Sequence, residues 1–144
     1  MNRRIFLSLP ITGIDRQLVA ETNNLMKQLA RSMGMQPVSP LDILPASVFS
    51  SDNDDAWRQA MIITYPELLL CNSIMIASGW EKSDGCTIEE LTARLRDYNI
   101  IYLNVFRLPA GLKLSFQTII KSKAYENDFV QSVDSFGLRT VANN

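Results

Sequence analysis

The chain contains no histidine among its 144 residues. That absence excludes Ser-His-Asp and Cys-His catalysis, HExxH zinc sites and histidine acid–base chemistry. Its two cysteines, Cys71 and Cys86, fit neither a disulfide framework nor a CxxC redox pair and read as plain thiols. No apolar run approaches the roughly 20 residues of a membrane span. The opening Met1–Thr12 has Arg3, Arg4 and a short apolar run, which reads as a first strand rather than a signal peptide. No basic run stands out and the formal net charge is -1, so a nucleic acid polymer is not an expected partner. There is no GxGxxG, no Walker A lysine motif, no cysteine–histidine cluster, no internal repeat and no low-complexity segment, so neither a cofactor nor a metal is implied. The expectation is a soluble, cytoplasmic protein whose chemistry rests on carboxylates and hydroxyls.

What is present points to one compact domain, because 47% hydrophobic and 20% charged residues in a chain this long bury a single core. Arg4–Leu9 reads as a buried strand, followed by a loop punctuated by Pro10 and Gly13. A helix starts near Asp15, with Ile14, Leu18, Thr22, Leu25, Met26, Leu29 and Met33 at helical spacing and Gly34 as its C-terminal cap. Met35–Ser39 is a short strand that Pro37 places near an edge. Residues 47–55 are polar and read either as a lid or as a solvated connection. Asp54 and Asp55 open a helix running to Cys71 with Pro66 inside it.

Ser73–Ala77 and Asn99–Phe106 are two more strands, and the helix between them carries Ile88, Leu91 and Leu95 on one face. Residues 109–121 predict another helix with Leu112, Phe116, Ile119 and Ile120 as its apolar face. Strands alternating with helices specify an α/β fold, a doubly wound (Rossmann-like or flavodoxin-like) parallel sheet of four to five strands with helices on both faces. Residues 1–121 form that domain and 122–144 a C-terminal extension of unreadable role.

The densest polar chemistry follows the strand Ser73–Ala77, in Ser78-Gly79-Trp80-Glu81-Lys82-Ser83-Asp84-Gly85-Cys86-Thr87-Ile88-Glu89-Glu90. Ser83 caps the helix, the first-turn amides are free to meet an anion, and Glu89 sits one turn in. Gly-Trp-Glu-Lys-Ser-x-Gly with Glu89 four residues after Gly85 resembles the nucleoside 2-deoxyribosyltransferase-like family. The resemblance implies that Glu89 is the nucleophile that attacks an anomeric carbon. It further implies that Ser83 and Gly85 hold the sugar or its 5'-phosphate, and the serine at 83 resembles the 2'-deoxynucleoside 5'-phosphate N-hydrolase branch rather than the transferases. The loop Ile11-Thr12-Gly13 resembles the family's first-strand loop, making Thr12 and Gly13 candidate phosphate contacts, although Gly13 reads equally as a turn residue. Ser115 inherits, by the same resemblance, a role in reaching a neighbouring subunit's nucleotide in a homodimer. Trp80 reads either as packing under the loop or as a wall of a base pocket, and Glu81 and Glu90 read as solvated surface charges.

The family pattern has aspartates where this chain has Thr64 and Asn72. The first orients the nucleophile and assists the departing base, a role threonine cannot fill because it neither carries charge nor gives up a proton at neutral pH. Three readings stay open: cleavage of a nucleoside or nucleotide N-glycosidic bond or deoxyribosyl transfer through Glu89; a catalytically weak or silent nucleotide-binding protein; and an interaction protein using the dimer face alone.

Overall fold

Three apolar stretches of strand length build the centre of the molecule in a computed structural model that describes residues 3–11, 13–44, 54–124 and 140–142. They are β1 (Arg4–Ser8), β3 (Ser73–Ala77) and β4 (Asn99–Leu108). The helices are α1 (Arg16–Ser32), one-turn α2 (Pro40–Ile43), α3 (Asp54–Leu69) and α4 (Asp84–Leu95), with a 3-10 turn at Trp80–Lys82 before α4. The remaining strands are β2 (Gln36–Val38), β5 (Gly111–Ile120) and β6 (Thr140–Ala142), and the sheet order is β2-β1-β3-β4-β5-β6.

Strands β2, β1, β3 and β4 run parallel, as an alternating strand–helix pattern requires. Such strands are covered on both faces, and side chains alternate between two apolar clusters. Ile5, Leu7, Met75, Ala77, Ile101 and Leu103 meet Leu25, Met26 and Leu29 of α1 in one cluster. Phe6, Ile74, Ile76 and Ile100 meet Leu68 of α3 and Ala93 of α4 in the other. The helix start at Asp15, whose carboxylate accepts from the Leu18 amide at 3.3 Å, and the edge position of β2 match the expectation. Gly34 is left-handed at φ 74°, as a residue ending α1 should be.

Two expectations fail. Residues 109–121 do not form a helix: β5 pairs antiparallel with β4 across a tight turn and with β6 on its other edge, so the sheet has six strands of mixed direction rather than four or five parallel ones. The segment carries a period of two. Leu112 and Leu114 alternate with Lys113 and Ser115, so both leucines enter the core under α1, whereas a helix stripe of 112, 116, 119 and 120 would have left Leu114 out. The second failure concerns α4. Its expected apolar face of Ile88, Leu91 and Leu95 points outward, with exposures of 37%, 47% and 79%, while Cys86, Glu89, Glu90, Thr92 and Ala93 are buried. Polar partners on the sheet, described below, make that inverted arrangement possible.

The strand assignment of β5 is testable by truncation in urea unfolding. Leu114→Ala should destabilise by roughly 2–5 kcal/mol, the range for deleting a buried leucine side chain, with exposed Gln117→Ala near zero. A small Leu114 effect would favour the helical alternative.

Candidate active site

The sheet order reverses direction between β1 and β3: the chain leaves β1 for β2 on one side and leaves β3 for β4 on the other. Loops that follow two such strands separate and leave a crevice at their C-terminal ends, where α/β sheets collect ligands. Here the loops after β1 and β3 converge. Gly79 takes φ 90°, and a Cβ at that position would lie 3.6 Å from Pro10 Cγ.

Helix α4 begins in this crevice. Ser83 Oγ accepts from the Cys86 amide at 3.3 Å, the expected cap, and Gly85 lies in the first turn. One turn on, Glu89 points back at the sheet and is 6% exposed. Its Oε1 accepts a hydrogen bond of 2.7 Å from the hydroxyl of Ser8, the last residue of β1. Burial disfavours the carboxylate and pushes the Glu89 pKa up to about 7, against which the Ser8 hydrogen bond pulls downward. Cys86 is pushed up to about 11 by burial and then by the Glu89 charge, so it remains a neutral thiol.

Glu90 corrects the expectation of a solvated charge. It is as buried as Glu89 but turns to the opposite flank of α4, where Arg94 Nε lies 2.9 Å from Oε1 and the Tyr102 hydroxyl donates to Oε2 at 2.9 Å. Burial, with Glu90 beside it, pushes the Tyr102 pKa up to about 12. Glu81 is exposed, as expected.

Trp80 stacks at a tilt on Tyr102, with ring centroids 6.1 Å apart, and packs against the cluster under α3 and α4. It also borders an open cleft of about 340 Å³ together with Ser78, Gly79, Glu81, Tyr102, Gln117 and Thr118. Glu89 is not among the residues that line that cleft. We take the Glu89 crevice as the chemical centre, because it holds the perturbed buried acid at the strand ends.

The other candidates are dispersed. Thr64 is buried on α3, but the hydrogen bond to Glu89 comes from Ser8 and not from Thr64. Neighbouring Tyr65 instead meets Thr92 of α4 at 2.9 Å. Asn72 lies at the opposite, N-terminal end of β3, where it accepts from Ser73 Oγ at 3.0 Å. Gly13 is left-handed at φ 76° and exposed, which realises its turn role. Ser115 lies on β5 between Asn104 and Thr140. Thr12 and the polar stretch 47–53 fall outside the described residues. Among the described residues no trio of carboxylate, thiol or imidazole groups is placed to hold a metal ion, and no helix is long and apolar enough to cross a membrane. The residue that sequence reasoning missed is Ser8. Its only signal was its place at the C-terminal end of a buried parallel strand.

A family model described as a domain of unknown function, DUF4406, matches residues 3–102. No curated protein matches the chain. Among solved structures, a 2-deoxyribosyltransferase from Bacillus psychrosaccharolyticus is similar at 12% sequence identity and a TM-score of 0.51, covering 70% of this chain and 72% of that one. At that identity the likeness is one of fold.

The buried carboxyl should set a pH dependence of stability. The folded Glu89 pKa of about 7 exceeds its ordinary 4.5, so between those values the folded state holds a proton that the unfolded state lacks. Stability therefore falls as pH rises through that window and stays lower above it. Glu89→Gln, which keeps an acceptor for Ser8 but cannot ionise, should exceed wild type by about 1–3 kcal/mol at pH 8 and match it near pH 4 in urea unfolding. An equal difference at both pH values would show that Glu89 titrates alike in the folded and unfolded states.

Proposed function

The chain belongs to the DUF4406 family, and from that premise we propose that it acts on the N-glycosidic bond of a small nucleoside or nucleotide through Glu89. The observation that carries the reading is the buried Glu89 carboxyl at the crevice between β1 and β3, with Ser8 donating to it at 2.7 Å. A group with a pKa near 7 is ionised in a large fraction of molecules at neutral pH, and a carboxylate there is poised to act as nucleophile. Fold likeness to an enzyme described as a 2-deoxyribosyltransferase for nucleoside synthesis supports the substrate class.

In this mechanism the Glu89 carboxylate attacks the anomeric carbon as the C–N bond breaks, through an oxocarbenium-like transition state. The base leaves with the bonding electrons and takes a proton from solvent, giving a glycosyl–enzyme ester. Water then cleaves the ester and restores Glu89, or an acceptor base does so in transfer. Ser83, Gly85, Gly13 and Thr12 are assigned to the sugar or its 5'-phosphate. Ser83 and Gly85 bear on this because they stand in the first turn of α4, where amides favour an anion. The serine at 83 favours hydrolysis of a deoxynucleoside 5'-phosphate. Trp80 is read as a base contact at the rim, reached from the adjoining cleft.

The wider reading is a doubly wound domain over 1–121 with a C-terminal extension, acting in the cytoplasm as a homodimer. Exposed Ile62, Leu70, Leu91 and Leu95 supply apolar surface that a second copy would cover, and Ser115 is the residue proposed to cross the interface. Thr64 favours a second reading, a silent nucleotide-binding protein, because no carboxylate stands there to assist the leaving base.

Base release from deoxynucleosides and their 5'-monophosphates, followed by chromatography, tests the assignment. Glu89→Ala should abolish release, whereas Glu90→Gln, on the other flank of α4, should retain it; equal loss from both would sink Glu89 as nucleophile. Wild-type turnover should be slow, and Thr64→Asp should raise it toward the 10² to 10⁴ typical of a positioned proton donor. Fast wild-type hydrolysis slowed by Thr64→Asp would mean that another group supplies the proton. Ligand-induced thermal stabilisation without any base release would establish the silent reading.

A further inference from the structure

The Ser8–Glu89 contact joins two buried groups from elements that are far apart in sequence, and its geometry assigns a role that the nucleophile alone does not explain. Ser8 has 0% exposure and stands opposite Ile76 in the parallel ladder, on a strand held by β2 on one side and β3 on the other. Its side chain follows the alternation of Phe6, toward α4, which aims the hydroxyl at the helix. At 2.7 Å the bond is in the short range of a hydroxyl donating to a carboxylate. A long, rotatable glutamate is thereby tied to a strand of the sheet's centre.

Resting on the reading of Glu89 as nucleophile, we propose that Ser8 is its positioning residue, donating a hydrogen bond that fixes the carboxylate's rotamer and favours its ionised form. The surroundings leave this task to Ser8. Cys86, on the same helix, faces both Glu89 and the Ser8 hydroxyl but is a neutral thiol, and Glu90 with Arg94 and Tyr102 occupies the opposite flank. Strand β3 has no charged residue, and Arg4 of β1 is paired at 3.3 Å with Glu67 of α3 at the other end of the strand. Arg58 of α3 is exposed, and the Tyr65 hydroxyl is engaged with Thr92. The donor is neutral and bonds to Oε1, so it favours the charged form without pairing it away in an ion pair.

The test follows the Glu89 side-chain carboxyl by carbon-13 NMR titration, alongside the pH profile of base release, in wild type, Ser8→Ala and Ser8→Cys. Losing a donor to the charged form should move the Glu89 midpoint upward from about 7 by roughly one pH unit in Ser8→Ala. The weaker thiol donor of Ser8→Cys should give a smaller upward shift. The limb of the rate profile should move with it, giving about a tenfold loss at pH 6. Folding of Ser8→Ala is checked near pH 4, where Glu89 is neutral; if that variant does not fold, the Ser8→Cys midpoint decides. An unmoved midpoint in a folded variant overturns the proposal. A wild type that releases no base would remove the nucleophile reading, while the carbon-13 titration would still decide whether Ser8 controls Glu89.

Discussion

A carboxyl group taken out of water and given one neutral donor is the constraint around which the C-terminal edge of this sheet is arranged. Burying Glu89 against Ser8 is unfavourable in isolation, because a single hydroxyl replaces only part of the lost hydration. The surrounding fold makes it tolerable. Strand β1 is paired on both edges, α4 is capped by Ser83 and anchored through Ala93, and the loops after β1 and β3 close against each other at Pro10 and Gly79. Each supplies rigidity where an acid would otherwise rotate to solvent.

The same constraint accounts for the inverted amphipathicity of α4. A helix on a parallel sheet ordinarily turns its leucines inward. Here adjacent acids occupy the inner face in two chemically distinct settings. Glu90 is neutralised by Arg94 and takes a proton donor from Tyr102, an arrangement that holds a carboxylate quietly in place. Among the described residues no cation is paired with Glu89, and burial raises its pKa to about 7. Pairs of like groups with divergent environments are how one element separates structural from reactive roles. The leucines displaced outward are then available to another surface.

Much of the scaffold was legible because its signals are local and periodic. Unbroken apolar runs marked β1, β3 and β4, Asp15 marked the start of α1, and Pro37 marked an edge strand. The spacing from Gly85 singled out Glu89 as a candidate but carried no sign of its burial. The antiparallel edge was not legible, since Gly111–Ile120 holds both a period-2 and a 3.6-residue pattern, and the choice is made by pairing with β4, a long-range contact. Ser8 and the burial of Glu90 were illegible for the same reason. Serine at a strand end and glutamate in a helix's first turns are both ordinary surface residues until a third element faces them.

This difference in legibility has a physical root that bears on the chemistry. Core residues are interchangeable within their volume, so their pattern repeats along the chain and is visible in it. The setting of Glu89 depends instead on a contact between residues 81 positions apart, which leaves no periodic trace. Thr64 belongs to the same level: its burial on α3, beside the Tyr65 that meets Thr92 of α4, follows from the packing of two helices and not from any mark in its own segment.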